Sequence, residues 1–399
     1  MSILAEKFDA VAKFGHATGS LFITRTSDGT SPKYRTMFRS LYSLYAMFIV
    51  GGCVIYEILL LHFKVSDDSS ATTFSNTVFN TLLVIIAIRI AANVSIILSL
   101  SGKLADVLNH AEDFKASLPV KSGLQRKRRN FIDLLRRFLM GLSFAVFTLS
   151  RYLFFGELTS QRPPSIAKMA TSAFVIVSTV VLSSACRFVH TIATLVYDLF
   201  TDDLRDLVAV AKVRLSPGSM LWSPRTARVL EDTRLKYLAM RKIVQELNDV
   251  LQYSTFVTVT CTLLTLCTCA YLISETESSW GKLVFTASYA VASSVELLHI
   301  TVSVSQLKEQ ASQLSLLLEA PPISQLPKSV VQQVQLFKES LDIQLFCASG
   351  LGFFTVDKPL LVSTGACVMS YTILLVQTGD GYQSKHEIPP ISSSGFPSA

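Results

Sequence analysis

Charge is what this chain has least of. Asp, Glu, Lys and Arg make up 16% of its 399 residues, while half of the residues are apolar. A soluble domain carries about a quarter charged residues, so a water-soluble fold is excluded first. Catalytic patterns are missing too. There is no Gly-rich phosphate loop, no HExxH and no GxSxG. The six histidines, His16, His62, His110, His190, His299 and His386, are scattered. No enzyme, cofactor or metal site is expected from such a set. The seven cysteines, Cys53, Cys186, Cys261, Cys267, Cys269, Cys347 and Cys367, contain no CxxC pair. Cys267 and Cys269 are two residues apart and cannot share a helix face. They read as small buried hydrophobes, not as a disulfide or zinc framework. Residues 1–26 carry charges throughout and lack a continuous apolar core, so no cleaved signal peptide is expected. No internal repeat is visible.

What the chain does have is apolar residues gathered in blocks. Seven blocks stand out, at 41–63, 78–100, 138–155, 166–195, 253–273, 283–304 and 360–376. A membrane-spanning helix takes about 20 apolar residues. The sequence therefore predicts an all-α polytopic membrane protein with seven transmembrane helices. Three of the spans should extend beyond the membrane. The fourth runs on as an amphipathic helix towards Leu215, where Ser216, Pro217 and Gly218 break it. A helix starting at Arg225 enters the fifth span and carries Tyr237, Met240, Val244, Leu247 and Leu251 in steps of three and four. The sixth continues through Leu307, Ala311, Leu314 and Leu318. Such seams must be buried against other helices.

Basic residues set the orientation. With the N-terminus inside and the spans alternating, 28 basic residues fall in the four inner regions and 5 in or beside the outer ones. That is a positive-inside pattern. It places the N-terminus in the cytoplasm and the C-terminus outside, and it accounts for the net charge of +7 without nucleic acid.

Five ionisable groups lie in or near spans: Arg89, Arg151, Arg187, Glu296 and His299. Each is costly there unless it faces a cavity, a partner or an interface. Arg187 and His299 fall near inner ends and read as snorkelling side chains. Glu296 reads as the partner of a basic group. Arg89 and Arg151 are the pocket candidates. With Tyr152, Phe155, Tyr271, Phe285 and Tyr289, in the outer halves of their spans, they would line a cup suited to a small organic ligand.

The most informative stretch is 350–378. Gly350, Gly352, Asp357, Lys358 and Pro359 interrupt an apolar run, and a second apolar helix follows, ending at Gln377. Irregular backbone at membrane depth survives only where protein or water surrounds it, so this is not a plain anchor. Gly352, Phe353, Phe354, Thr355, Val356 and Asp357, followed by Tyr371 and Gln377, resemble the C-terminal signature of insect gustatory receptors. Ser370 and Thr378 stand where that signature carries Thr and Phe.

The resemblance implies a gustatory receptor acting as a tastant-gated, non-selective cation channel in the plasma membrane of chemosensory neurons. It implies a tetramer, homomeric or with other gustatory receptor subunits, embedded in membrane lipids and joined through cytoplasmic anchor helices. The last helix would line the pore, with Ser370, Tyr371, Ile373, Leu374 and Gln377 as pore and gate residues. Thr372 stands where sugar-type receptors tend to carry Glu, which points to bitter or other non-sugar tastants. The expected organisation is a cytoplasmic N-terminus at 1–40, a ligand-binding bundle at 41–304 with cytoplasmic extensions at 196–252, anchor helices at 305–358, a pore helix at 359–378 and a disordered extracellular tail at 379–399.

An odorant-receptor-type subunit is the nearest alternative. A G-protein-coupled receptor would need the opposite charge bias, a DRY after the third span and an NPxxY in the seventh, and none is present. A secondary transporter would show paired interrupted helices, and only one interruption is evident.

Overall fold

The computed structural model describes residues 3–19, 21–26, 33–37, 40–67, 74–117, 138, 141–143, 145–150, 166–215, 224–274, 280–319 and 327–386. The long helices are α2 (Leu41–Asp67), α3 (Phe74–Ser117), α5 (Ile166–Leu215), α6 (Pro224–Ser274), α7 (Trp280–Glu319) and α9 (Lys358–His386). Shorter ones are α1 (Ile3–Ala17), α4 (Gly141–Ser150) and α8 (Lys328–Ser340). Five described helices are long and apolar enough to cross a membrane, within α3, α5, α6, α7 and α9, and Leu41–Ile55 and Gly141–Ser150 are shorter apolar helices. These seven coincide with the seven blocks of the sequence. The expected break at 216–218 lies outside the described residues, as do Arg151, Tyr152 and Phe155.

Packing follows the apolar faces. α3 lies chiefly on α6, and α5 on α7. One core occupies the end of the bundle holding the helix extensions. It gathers Leu104 and Leu108 of α3, Tyr197 and Phe200 of α5, Tyr237, Val244 and Leu247 of α6, Leu307 and Leu314 of α7, and Val334 and Phe337 of α8. A second, smaller core near the other end holds Phe79, Phe147, Tyr271, Phe285 and Tyr289. Large apolar side chains that remain outside, such as Leu41, Leu44, Phe48 and Ile88, stud the outer surface. That is the surface lipid requires.

The N-terminal region is more structured than its mixed composition suggests. Leu4, Phe8 and Ala12 recur every four residues on α1 and are buried in the main core. A two-stranded antiparallel hairpin, β1 (Ile23–Thr26) and β2 (Lys33–Thr36), docks beside them. Asn109 of α3 acts as a third strand edge. Its Oδ1 accepts from Tyr34 N–H at 2.7 Å, and its Nδ2 donates to Tyr34 O at 3.0 Å.

The interruption before the last helix is also a hairpin, β3 (Ala348–Gly350) with β4 (Phe354–Val356). Leu351 and Gly352 both have positive φ, 53° and 76°, and Phe353 N–H donates to Gly350 O at 3.0 Å. That is the mirror-image turn whose twist matches paired strands. Gly352 meets it without a Cβ, whereas Leu351 pays about 1 kcal/mol or more for a left-handed conformation. Gly350 has no room for a Cβ, because the Phe354 ring occupies the space. So the glycines of this stretch mark a built turn, and the apolar run does not simply break.

The hairpin is held to the bundle by α6. Asn248 Nδ2 donates to Cys347 O at 3.0 Å, and Tyr197 Oη donates to Asn248 Oδ1 at 2.6 Å. Arg241 Nη1 donates to Ser340 O at 2.9 Å. The Tyr237 hydroxyl accepts from Asp342 N–H at 3.3 Å, and burial pushes its phenol up to about 12. Lys308 of α7 lies 3.5 Å from Asp357, at the entrance to α9. α9 runs to His386, past the point where the sequence suggested disorder from 379.

Candidate functional site

Two places in the structure carry chemistry. The first is a polar knot between α3, α5, α6 and α7. Arg89 and Asn93 are one turn apart on α3, and Asn93 Nδ2 donates to Arg89 O at 3.0 Å. Arg89 Nη2 lies 2.9 Å from Glu296 Oε2 on α7. Arg187 Nε of α5 approaches the same oxygen at 3.6 Å, and His190 Nδ1 lies 3.8 Å from Oε1. Ser254 of α6 closes the knot, donating to Asn93 Oδ1 at 3.2 Å and lying 3.5 Å from His190 Nε2. Arg89 and Glu296 are both buried. Away from water, such charges persist only when they are paired.

A small cavity of about 30 Å³ opens beside this knot. Arg89, Arg187, Ser183, Ser293 and Glu296 form its polar wall, and Phe147, Tyr289 and aliphatic side chains form the other. The aromatic wall is packed. The rings of Phe147 and Tyr289 are 5.1 Å apart, and Phe285 stacks on Tyr289 with an interplanar angle of 5°. Tyr271 meets Phe74 edge-on at 5.5 Å.

The second place is the outward face of α9. Thr364 is buried, and residues 361, 368, 372, 375 and 376 are half-buried. They recur every three or four residues and lie against α6 and α7. Leu375 and Val376 touch the smaller core. On the opposite side, Ser370, Ile373 and Gln377 are exposed, with Tyr371 and Leu374 on the flanks. In this membrane-length helix 6% of the most apolar stretch is buried, against 33–65% in the other four.

A family model described as 7tm chemosensory receptor matches residues 13–380. The chain belongs to that family. Among solved structures, this chemosensory receptor is similar to the insect olfactory receptor OR5 from Machilis hrabei in complex with eugenol. The TM-score is 0.74 at 13% identity, over 94% of this chain and all of that one. A second structure of the same olfactory receptor gives a TM-score of 0.71 at 12% identity, over 94% of this chain and 98% of that one. At these identities the likeness concerns the fold, which is that of a seven-span insect receptor. No curated protein sequence matches the chain.

Of the residues singled out in the receptor's sequence, Arg89 and Tyr289 share the cavity, and Phe285 packs directly behind Tyr289. Tyr271 belongs to the same aromatic core without lining the cavity. Arg187 does not snorkel. Its guanidinium turns inward to Glu296, because that carboxylate offers a partner within the bundle. His299 is half-exposed. His190 went unnoticed because an isolated histidine on a helix shows nothing of its partners. Its one sequence signal is its position, one turn after Arg187.

Proposed function

We infer that this chemosensory receptor is a gustatory one, a subunit of a tastant-gated, non-selective cation channel for bitter or other non-sugar compounds. The observation that carries this reading is α9. A membrane-length helix with one polar-edged face left outside the bundle suits subunits that meet around a shared axis. Four such helices would bring Ser370, Ile373 and Gln377 to that axis, and homo- or heterotetramers both satisfy the geometry. Apolar constrictions close a pore by dewetting, and a ring of Gln side chains closes it by mutual hydrogen bonding. A tastant would enter a cup open to the outside, formed by the second to sixth spans, and reach Arg89 and Tyr289. It would favour opening only by its difference in affinity for the two states. Gly352–Asp357 and Gln377 support the gustatory branch, and the plasma membrane of chemosensory neurons is the matching location.

The test is current recording in cells expressing this chain, alone and with partner subunits, against sugars and plant bitter compounds. Cation currents with bitter compounds and none with sugars are expected; silence towards every bitter compound counts against the reading. The likeness to an olfactory receptor crystallises the alternative, so eugenol and other volatiles belong in the panel. A response to volatiles alone would move the receptor to the odorant type.

The charge pattern supports a cytoplasmic N-terminus and an extracellular C-terminus. A tag after Ala399 should therefore be labelled by antibody on intact cells. Labelling that needs permeabilised cells would reverse the topology.

A further inference from the structure

Two free cysteines stand at the joint between α6 and α9. Cys267 belongs to α6 and is buried; Cys367 belongs to α9 and is half-buried. Their neighbours bring them level. Phe256 of α6 lies against the β3–β4 hairpin that leads into α9, its ring 5.6 Å from that of Phe353 and 6.2 Å from that of Phe354. Cys267 follows Phe256 by three helical turns to within about 20°, so it shares that face of α6. One turn further on, Tyr271 sits in the smaller core, which Leu375 and Val376 of α9 touch. Cys367 lies between these two ends of α9, close to the buried Thr364. A charge on the Cys367 thiol is felt at Cys267. Cys261 and Cys269 stand about 120° and 160° round the helix from Cys267, so α6 offers α9 one thiol. We propose that Cys267 and Cys367 are an oxidisable pair, which organic hydroperoxides close to a disulfide joining α9 to α6.

The chemistry needs one hydroperoxide. The Cys367 sulfur, at the edge of the exposed face of α9, takes its terminal oxygen; the O–O bond breaks, the alcohol leaves and a sulfenic acid remains. The Cys267 sulfur attacks that sulfur. The S–S bond forms, the S–O bond breaks, and hydroxyl and thiol proton leave as water. Two thiols are oxidised and one hydroperoxide is reduced to alcohol and water. Apolar hydroperoxides dissolve in lipid and so reach this depth. A disulfide needs Cα atoms within about 7 Å, and short side chains such as Thr364 and Thr372 on the packed face of α9 allow helices to approach that closely. The effect on current rests on the reading above that α9 lines the pore: the bond would fix that helix against α6 and silence the receptor.

The experiment treats full-length receptor in lipid nanodiscs with tert-butyl hydroperoxide, blocks remaining thiols with N-ethylmaleimide, and digests without reductant for mass spectrometry. A peptide pair joined through Cys267 and Cys367 is expected, and dithiothreitol should release it. Cys267→Ser and Cys367→Ser should each lack it while eluting as monodisperse receptor. Both thiols blocked by N-ethylmaleimide after oxidation, or Cys367 joined to another cysteine or to a second copy of the chain, would overturn the proposal. In cells, the hydroperoxide should remove most of the ligand-evoked current and dithiothreitol should restore it, whereas Cys367→Ser should keep its current throughout. The bond is read without current. A receptor that forms it and conducts as before overturns the pore reading of α9 alone, and one that loses current with both thiols still free overturns only this inference.

Discussion

Leu247→Asp should abolish recovery of folded receptor. Leu247 has no exposed surface and sits on the α6 seam with Tyr237, Met240 and Val244, all equally buried. The seam faces the main core, where Leu307 and Leu314 of α7 and Phe337 of α8 also lie. Aspartate there loses the apolar contacts and leaves a charge in an apolar interior. An uncompensated buried charge costs about 3–5 kcal/mol, a large part of the 5–15 kcal/mol that holds a typical domain together. The same helix carries Asn248 and Arg241, which hold the β3–β4 hairpin and α8, so its loss should also release the entrance to α9. The measurement is the yield of monodisperse protein in size-exclusion chromatography after detergent extraction. Leu247→Met, which keeps volume and polarity, should lose less than about 1.5 kcal/mol and elute normally. A normal profile for the aspartate variant would show that this seam is not a core.

How much of this was legible in the sequence depends on whether the cause was local. α5 ends at Leu215, and Ser216, Pro217 and Gly218 follow it in the chain. α6 begins at Pro224, beside the expected start at Arg225. In both cases breakers and apolar period act within a few residues. Arg89 and Glu296 could each be recognised as costly, but their pairing joins helices far apart in the chain, and no spacing rule reports it. The three-way sharing of Glu296 with Arg187 and His190 was hidden for the same reason. The N-terminal region concealed a helix because its apolar face, Leu4, Phe8 and Ala12, is short and interleaved with charge. The sequence predicts a disordered tail from 379, yet the last helix continues through Gly379 and Gly381 to His386. Adding a residue to an existing helix is far easier than starting one, so weak formers at its end are tolerated.

The two sites share an element. α7 carries Ser293 and Glu296 at the cavity, and further along Lys308 and Glu309, which reach Asp357 and Lys358 at the start of α9 at 3.5 and 3.6 Å. α9 in turn lies on α6 and α7. A ligand that changes how Glu296 is shared acts on the helix that also holds the base of α9. This is spatial continuity, and coupling itself is a free-energy difference that only paired measurements reveal. The proposed channel would thus need no separate transmitting domain.

If α9 lines the proposed pore, thiol modification of its outward face should block current. Residues at i, i+4 and i+7 share a helix face, and counting back from Gln377 gives Ile373 and Ser370. All three are exposed, whereas Leu375, on the other side, is half-buried against the smaller core. Cys367 is itself half-buried on the same helix, so Cys367→Ser is the background for the test. In that background, cysteine at Ser370, Ile373 or Gln377 should react with a membrane-impermeant thiol reagent added from outside, and ligand-evoked current should fall by most of its amplitude. Cysteine at Leu375 should leave current unchanged, because its side chain turns into the bundle. Gln377→Ala separates lining from capping. If the Gln377 amide helps to close the pore, its removal should change basal current or ion selectivity at unchanged surface expression. If it only meets water at the helix end, both stay as they were. Equal reactivity at all four positions would mean that α9 turns no particular face to the axis. A face that blocks at 370, 373 and 377 and stays silent at 375 would place the axis where the exposed side of the helix already points.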